Sequence, residues 1–216
     1  MNNNNCKICN EKTIKIYDSQ FQNIYYYCKN CDFISLDEQF IVSNEREKTL
    51  YNFHNNSMDN IGYVNMLKDF IEKFIKPYVG GNAKALDFGC GPGPVLAELL
   101  KTNDIKTDIY DPYFFPEKIF INKKYNLISC TEVFEHFKDP IDNFKLLDDL
   151  IIKNGILALT TLFHPGMEEF TNWWYRRDAT HISFYTLNTF KYIADFYNYK
   201  ILDFNKKNVC ILRKED

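Results

Sequence analysis

Three groups of residues have types and spacings that could do chemistry. The first is a pair of Cys-x-x-Cys motifs, Cys6/Cys9 and Cys28/Cys31. Four thiolates on two tight turns suit a tetrahedral Zn²⁺ site with no open position. The residues after the second cysteines, Asn10 and Asp32, are the non-glycine types most tolerant of the positive φ that such knuckles need there. The alternative is four ordinary reduced cysteines. A thioredoxin-type redox pair would sit beside a βαβ pattern, which is missing here. The second group is the run Leu86-Asp87-Phe88-Gly89-Cys90-Gly91-Pro92-Gly93. Glycines between a strand and a helix let a ligand approach the backbone at a helix N-terminus. A dinucleotide fingerprint would put its last glycine at position 94, where the chain has Pro94. Asp87 would repel a pyrophosphate and attract a ligand carrying an amino group. The third group is Glu132, Glu135 and His136, at i, i+3 and i+4, with His181 further on. If that segment is helical, the first three share a face.

These groups need elements to hold them. Residues 1–40 are expected to form a zinc-ribbon-like module with a strand at Ile24–Tyr27, and 41–60 a polar linker or lid. From Ile61, apolar residues recur at helical spacing until Pro77. Strands are expected at Ala85–Phe88, Asp108–Tyr110, Asn126–Cys130 and Ile156–Leu162. Helices are expected from Pro94, from the cap at Asp139-Pro140 to Gly155, and from the cap at Thr186. Lys200–Phe204 and Val209–Leu212 read as a closing hairpin. Alternating β and α elements imply an α/β domain over 61–216, with a mainly parallel sheet covered by helices on both faces. Cys130 and Cys210 are expected to be buried in strands.

Composition narrows the classes. With 45% hydrophobic residues a large core can form, and a net charge of −3 with no long basic run suggests no general nucleic-acid surface. No apolar run is long enough to span a bilayer, and the polar start lacks the apolar centre of a signal peptide. A cytoplasmic protein with reduced cysteines is expected.

The run Leu86–Gly93 resembles the first motif of class I S-adenosylmethionine-dependent methyltransferases, and Asn126-Leu127-Ile128-Ser129-Cys130-Thr131-Glu132-Val133-Phe134-Glu135-His136 resembles their fourth-strand motif, close to the ubiquinone-methyltransferase-like subgroup. The resemblance implies a Rossmann-like seven-stranded sheet and S-adenosylmethionine as cofactor. It implies cofactor contact at Asp87, Gly89, Cys90, Gly91 and Gly93, ribose contact at Asp111, and Thr131 and Glu132 beside the reactive end. The N-terminal cysteines joined to such a domain also resemble an arrangement found in bacterial proteins of uncertain substrate and in some sugar C-methyltransferases. So few residues separate Asp111 from the fourth strand that the third strand must be short or missing. Tyr113, Phe114 and Phe115 then either wall the adenine or pack the shortened edge.

On the acceptor side three readings stay open. His136 or His181 could act as general base, with Glu135 beside them. The two glutamates and two histidines could hold a divalent ion, a set that resembles metal-dependent RNA 2′-O-methyltransferases. Or Glu135 and His136 could be structural. Phe163, Phe170, Trp173, Trp174, Tyr175, Phe184 and Tyr185 are expected to line an acceptor pocket, with Arg176 and Arg177 meeting an anionic group. The alternative is a flap packed for stability. His54 either belongs to a lid over the cofactor or caps its own region. The expected partner is a small or medium acceptor, its nucleophile an oxygen, carbon or nitrogen. A non-catalytic cofactor-binding protein acting through its zinc module is the competing class.

Overall fold

The structure is a computed structural model that describes residues 5–52 and 56–215; His54 lies outside them. The elements in chain order are β1 (Ile14–Asp18), β2 (Asn23–Tyr27), β3 (Ile34–Leu36), α1 (Asn44–Tyr51), α2 (Ile61–Phe70), β4 (Lys84–Phe88), α3 (Val95–Lys101), β5 (Lys106–Tyr110), β6 (Tyr125–Thr131), α4 (Pro140–Leu150), β7 (Ile151–Thr160), β8 (Ser183–Phe184), α5 (Leu187–Tyr197), β9 (Tyr199–Phe204) and β10 (Val209–Lys214).

The main sheet has the order β5-β4-β6-β7-β10-β9. β4, β5, β6 and β7 pair in parallel, and β10 runs antiparallel to both β7 and β9. The described sheet has six strands; the third strand of a seven-stranded sheet, expected to be short or missing, is not among them. Asp111 instead pairs with Phe115 in an isolated bridge. Two prolines, Pro112 and Pro116, lack the N–H that a ladder strand needs there.

Side chains alternate across this sheet with period two. Leu86, Ile128, Cys130, Leu157, Leu159, Cys210 and Leu212 enter one core, with Phe144 and Leu147 of α4 and Phe190 of α5. Ala85, Leu127, Ile156, Ala158, Val209 and Ile211 enter the other, with α2 and α3. Strands buried on both faces explain the unbroken apolar runs in the sequence. α5 opens with Thr186, which accepts from the Thr189 N–H in a capping box. Two boundaries differ from expectation. α4 stops at Leu150, and Ile151–Ile152 already belong to β7, because β-branched residues fit a pleated strand and Ile151 is buried beside Tyr125. Asp139 occupies the cap position of α4, but its side chain makes no capping bond.

β1, β2, β3 and β8 form a second, antiparallel sheet. β8 comes from the long loop after β7, so the N-terminal segment and that loop share one sheet. Phe170, Tyr175 and Phe184 of the loop pack with Tyr25 and Ile34 in a third core. Tyr25 meets Phe170 and Phe184 with ring centroids 4.9 and 6.0 Å apart, edge to face. Arg176 is completely buried, its Nε 3.0 Å from Asp18 Oδ2 and its Nη2 donating to Asp18 Oδ1 and to Gln20 Oε1. The expectation that Arg176 meets an anionic ligand is thereby corrected: Asp18 neutralises it.

Candidate functional site

The carboxyl ends of β4, β5 and β6 open into a cavity of about 550 Å³, a size typical of small-ligand sites (roughly 300–1,000 Å³). Its floor is the glycine loop. Gly89 and Gly91 have φ of 81° and 66°, a region that suits residues without a Cβ. The Gly89 and Cys90 N–H groups donate to Tyr110 O, at 2.8 and 3.1 Å, which ties the loop to the end of β5. A Cβ at Gly89 would lie 2.4 Å from Val133 Cγ2, and one at Gly93 would lie 1.8 Å from Asn56 O. These glycines are thus required by the chain's own turns.

Asp111 sits at the cavity edge just past β5 and is buried. Its Oδ2 accepts from the Gly91 N–H at 3.0 Å, and its Oδ1 from the Tyr113 and Phe114 N–H groups at 2.8 and 3.1 Å. Three backbone donors hold this carboxylate rigidly beside the glycine loop. Of the residues expected to touch a cofactor, Gly89, Gly91, Asp111, Thr131 and Glu132 line the cavity, whereas Asp87, Cys90 and Gly93 are outside its wall. Asp87 is buried below the loop, accepting from Ser129 Oγ at 3.2 Å; burial pushes its carboxyl up to about 7. Tyr113 and Phe114 are in the wall, and Phe115 is not.

At the other end Glu132, Glu135, His136 and His181 all line the cavity. They come together without an α-helix. Glu132 takes a left-handed φ of 54°, held by its N–H donating to Thr160 O, and only a short 3-10 turn, Phe134–His136, follows. One ligand atom from each of Glu135, His136 and His181 lies within 4.8 Å of the others. The N–H of His136 Nδ1 donates to Thr180 O at 3.0 Å, and that of His181 Nδ1 to Tyr175 O at 2.8 Å. A carbonyl only accepts, so both neutral rings carry their proton on Nδ1, and Nε2 is the basic nitrogen. His181 Nε2 is 3.8 Å from Asp178 Oδ2, a counter-charge for an imidazolium.

Tyr175 links the glutamates. Its hydroxyl is 2.8 Å from Glu132 Oε2 and also hydrogen-bonds Glu135 Oε1. One phenolic proton can serve only one of these contacts, so the other requires a protonated carboxyl. Glu135 is completely buried, and burial drives its pKa well above the carboxylate range, with the charge of Glu132 adding to the effect. Of the pair, Glu135 is the one whose surroundings favour the protonated form. The Thr161 hydroxyl is buried beside the Glu135 carboxyl.

The aromatic loop does not line the cavity as expected. Phe163, Phe170, Trp173, Trp174, Tyr175, Phe184 and Tyr185 are all outside the wall, and only Asp178 and His181 of that loop reach it. Six of these rings pack instead against the N-terminal sheet and under β7, while Trp174 is exposed. Arg177 is exposed and also outside the wall. Sequence reasoning missed Glu47, Tyr51 and Tyr63. Tyr51 and Tyr113 both donate to Glu47, at 2.7 and 2.6 Å, so α1 is pinned across the cavity mouth. α1 has no buried residue that would have signalled this position.

Behind this site the four N-terminal cysteines converge. Their sulfurs lie within 4.8 Å of one another, with Cys6–Cys31 at 3.5 Å and Cys9–Cys28 at 3.3 Å. Asn10 and Asp32 have φ of 62° and 58°, as the knuckle reading required.

A methyltransferase domain family model matches residues 62–203. A sequence search of curated proteins finds no match. Among solved structures, an O-methyltransferase family protein from Burkholderia thailandensis is 11% identical over 82% of this chain and 62% of its own, with a TM-score of 0.54. A plantazolicin methyltransferase in complex with a triazolic substrate analogue and SAH is 14% identical over 83% of this chain and 94% of its own, at 0.50. Coclaurine N-methyltransferase is 17% identical over 71% of this chain, at 0.49, and this chain spans 54% of its length. With more than half of its residues matched by the family model, the chain belongs to the methyltransferase domain family.

Proposed function

We propose that the chain binds S-adenosylmethionine and transfers its methyl group to a small or medium acceptor. The observation that carries this reading is Asp111: a buried carboxylate, fixed by three backbone N–H groups, at the joint between the glycine loop and a cavity of about 550 Å³. Gly89, Gly91 and Asp111 would hold the cofactor, with Thr131 and Glu132 toward its reactive end. Tyr113 and Phe114 offer apolar faces for a nucleobase. When bound, the cofactor supplies a sulfonium-activated methyl group. The chain's own residues would orient the acceptor and take its proton, His136 and His181 through Nε2. Glu135, buried, positions Tyr175 and through it Glu132.

The described lining contains no lysine or arginine, which supports a small acceptor over a phosphodiester chain. The four convergent sulfurs support a structural Zn²⁺ on Cys6, Cys9, Cys28 and Cys31. Thiolates around a zinc at about 2.3 Å would stand roughly 3.8 Å apart, close to the separations found. Calorimetric titration of S-adenosylhomocysteine against wild type and Asp111→Ala tests the cofactor assignment. Affinity should fall at least tenfold, and equal affinities would remove Asp111 from the site. Release of S-adenosylhomocysteine from S-adenosylmethionine in acceptor mixtures separates turnover from non-catalytic binding.

A further inference from the structure

The wall of the cavity is acidic. Its described residues include Glu47, Asp111, Glu132, Glu135 and Asp178 and no lysine or arginine. Most of these carboxyls are already engaged. Asp111 is taken by backbone N–H groups, Glu47 by two tyrosine hydroxyls, and Glu135 is fully buried against the Tyr175 hydroxyl. Glu132 differs from them in exposure: it is the exposed one, it opens toward the cavity, and among the described residues its carboxylate receives two neutral hydroxyl donors, Thr160 Oγ1 at 2.9 Å and Tyr175 at 2.8 Å. Aromatic edges stand nearby. Tyr51 meets His136, and His136 meets His181, with ring centroids 5.2 and 5.0 Å apart. The two arginines that could have reversed the field are outside the wall, one neutralised by Asp18. An anionic acceptor would meet the Glu132 and Asp178 carboxylates with no lysine or arginine in the described wall to offset them, while a cation would be attracted to them.

We propose that the acceptor is a primary or secondary amine that enters as its ammonium ion and is held by Glu132. This rests on the methyl-transfer reading above. The ammonium gives one proton to His181 Nε2, where Asp178 stands ready as counter-charge. The nitrogen lone pair then forms the N–C bond as the methyl's bond to sulfur breaks, and that bond's electron pair stays on sulfur. The product leaves as a methylated ammonium ion, which has lost one proton and gained one methyl.

The test uses the full chain saturated with S-adenosylhomocysteine and four probes of one shape: phenethylamine, 2-phenylethanol, phenylacetate and phenyl phosphate. Calorimetry should show the amine binding at least tenfold more tightly than either anion, with the alcohol between them. In Glu132→Gln the preference should shrink below threefold. Asp178→Asn, a second variant away from the strained backbone of Glu132, should also reduce it. Equal binding of amine and anions, no binding of the amine, or a full preference surviving in Glu132→Gln would overturn the proposal. So would an anion preference that appears on adding Mn²⁺ or Zn²⁺, which would assign Glu135, His136 and His181 to a metal. A chain that fails to bind S-adenosylhomocysteine refutes the methyl-transfer reading itself. Binding of that ligand without the order of probes refutes only the amine.

Discussion

Asp18→Ala should unfold the chain at markedly lower temperature, because it strands a buried charge. The Arg176 side chain is 0% exposed and that of Asp18 1%. Removing the carboxylate leaves a guanidinium whose remaining partners among the described residues are Gln20 Oε1 at 3.0 Å, the Trp173 carbonyl at 3.4 Å and the Phe21 ring, its centroid 5.2 Å away. Breaking such a pair from one side costs about 3–5 kcal/mol. The two neutral acceptors place the expected value toward the low end. Loss of the bond from the Gln20 N–H to Asp18 Oδ1 adds about 1 kcal/mol to that cost. A total of about 4 kcal/mol corresponds to a melting temperature lower by roughly 8–16 °C for a chain of this size. Urea titration with a fluorescence readout gives the free energy directly. The double variant Asp18→Leu/Arg176→Met, which removes both charges, should recover at least half of the loss. A single variant within about 1 kcal/mol of wild type, or a double variant worse than the single, would refute the buried-charge argument.

Three further outcomes follow. The folded-state pKa of Asp87, about 7, lies above the ordinary carboxylate value of 3.8, so the native state holds that proton longer. Its contribution to stability is full below pH about 4 and is lost as pH rises through 7; Asp87→Asn should flatten the decline in melts from pH 5 to 8, and a slope identical to wild type would remove Asp87 as its source. Cys9→Ser or Cys31→Ser should lower the zinc content of purified protein by at least half, and equal metal content by atomic emission would discard the zinc assignment. Gly93→Ala puts a Cβ 1.8 Å from Asn56 O, so the segment after α1 must shift; about 1–3 kcal/mol of stability should be lost, with faster proteolysis near residue 56. Unchanged proteolysis would show that segment to be elsewhere.

What the sequence revealed were features governed by neighbours along the chain. Asn10 and Asp32 marked left-handed turns because their short polar side chains tolerate them. Thr186 marked a helix start through a partner three residues away. The apolar runs of β6 and β7 were legible because strands covered on both faces need no polar side. The site was legible as a set of residues but not as a geometry. Glu132 and Glu135 do meet, through a left-handed turn and a tyrosine hydroxyl from position 175 rather than along a helix. Arg176 carried no local sign of its partner, which lies 158 residues earlier. Nothing in the polar stretch containing Glu47 announced that two tyrosines would fasten it over the cavity.

Two residues, Ser183 and Phe184, stitch the loop after β7 to the edge of β3. His181 is only two positions away from this seam, and Ile182 N–H bonds the carbonyl of Glu135. The first forty residues are therefore no portable cassette. Excising them would strip the loop of its edge partner and of the apolar surface beneath it, and grafting them onto another scaffold would leave β3 with an open flank. Anything that loosens the cysteine knuckles acts, through a ladder two residues long, on the imidazole that faces the cavity.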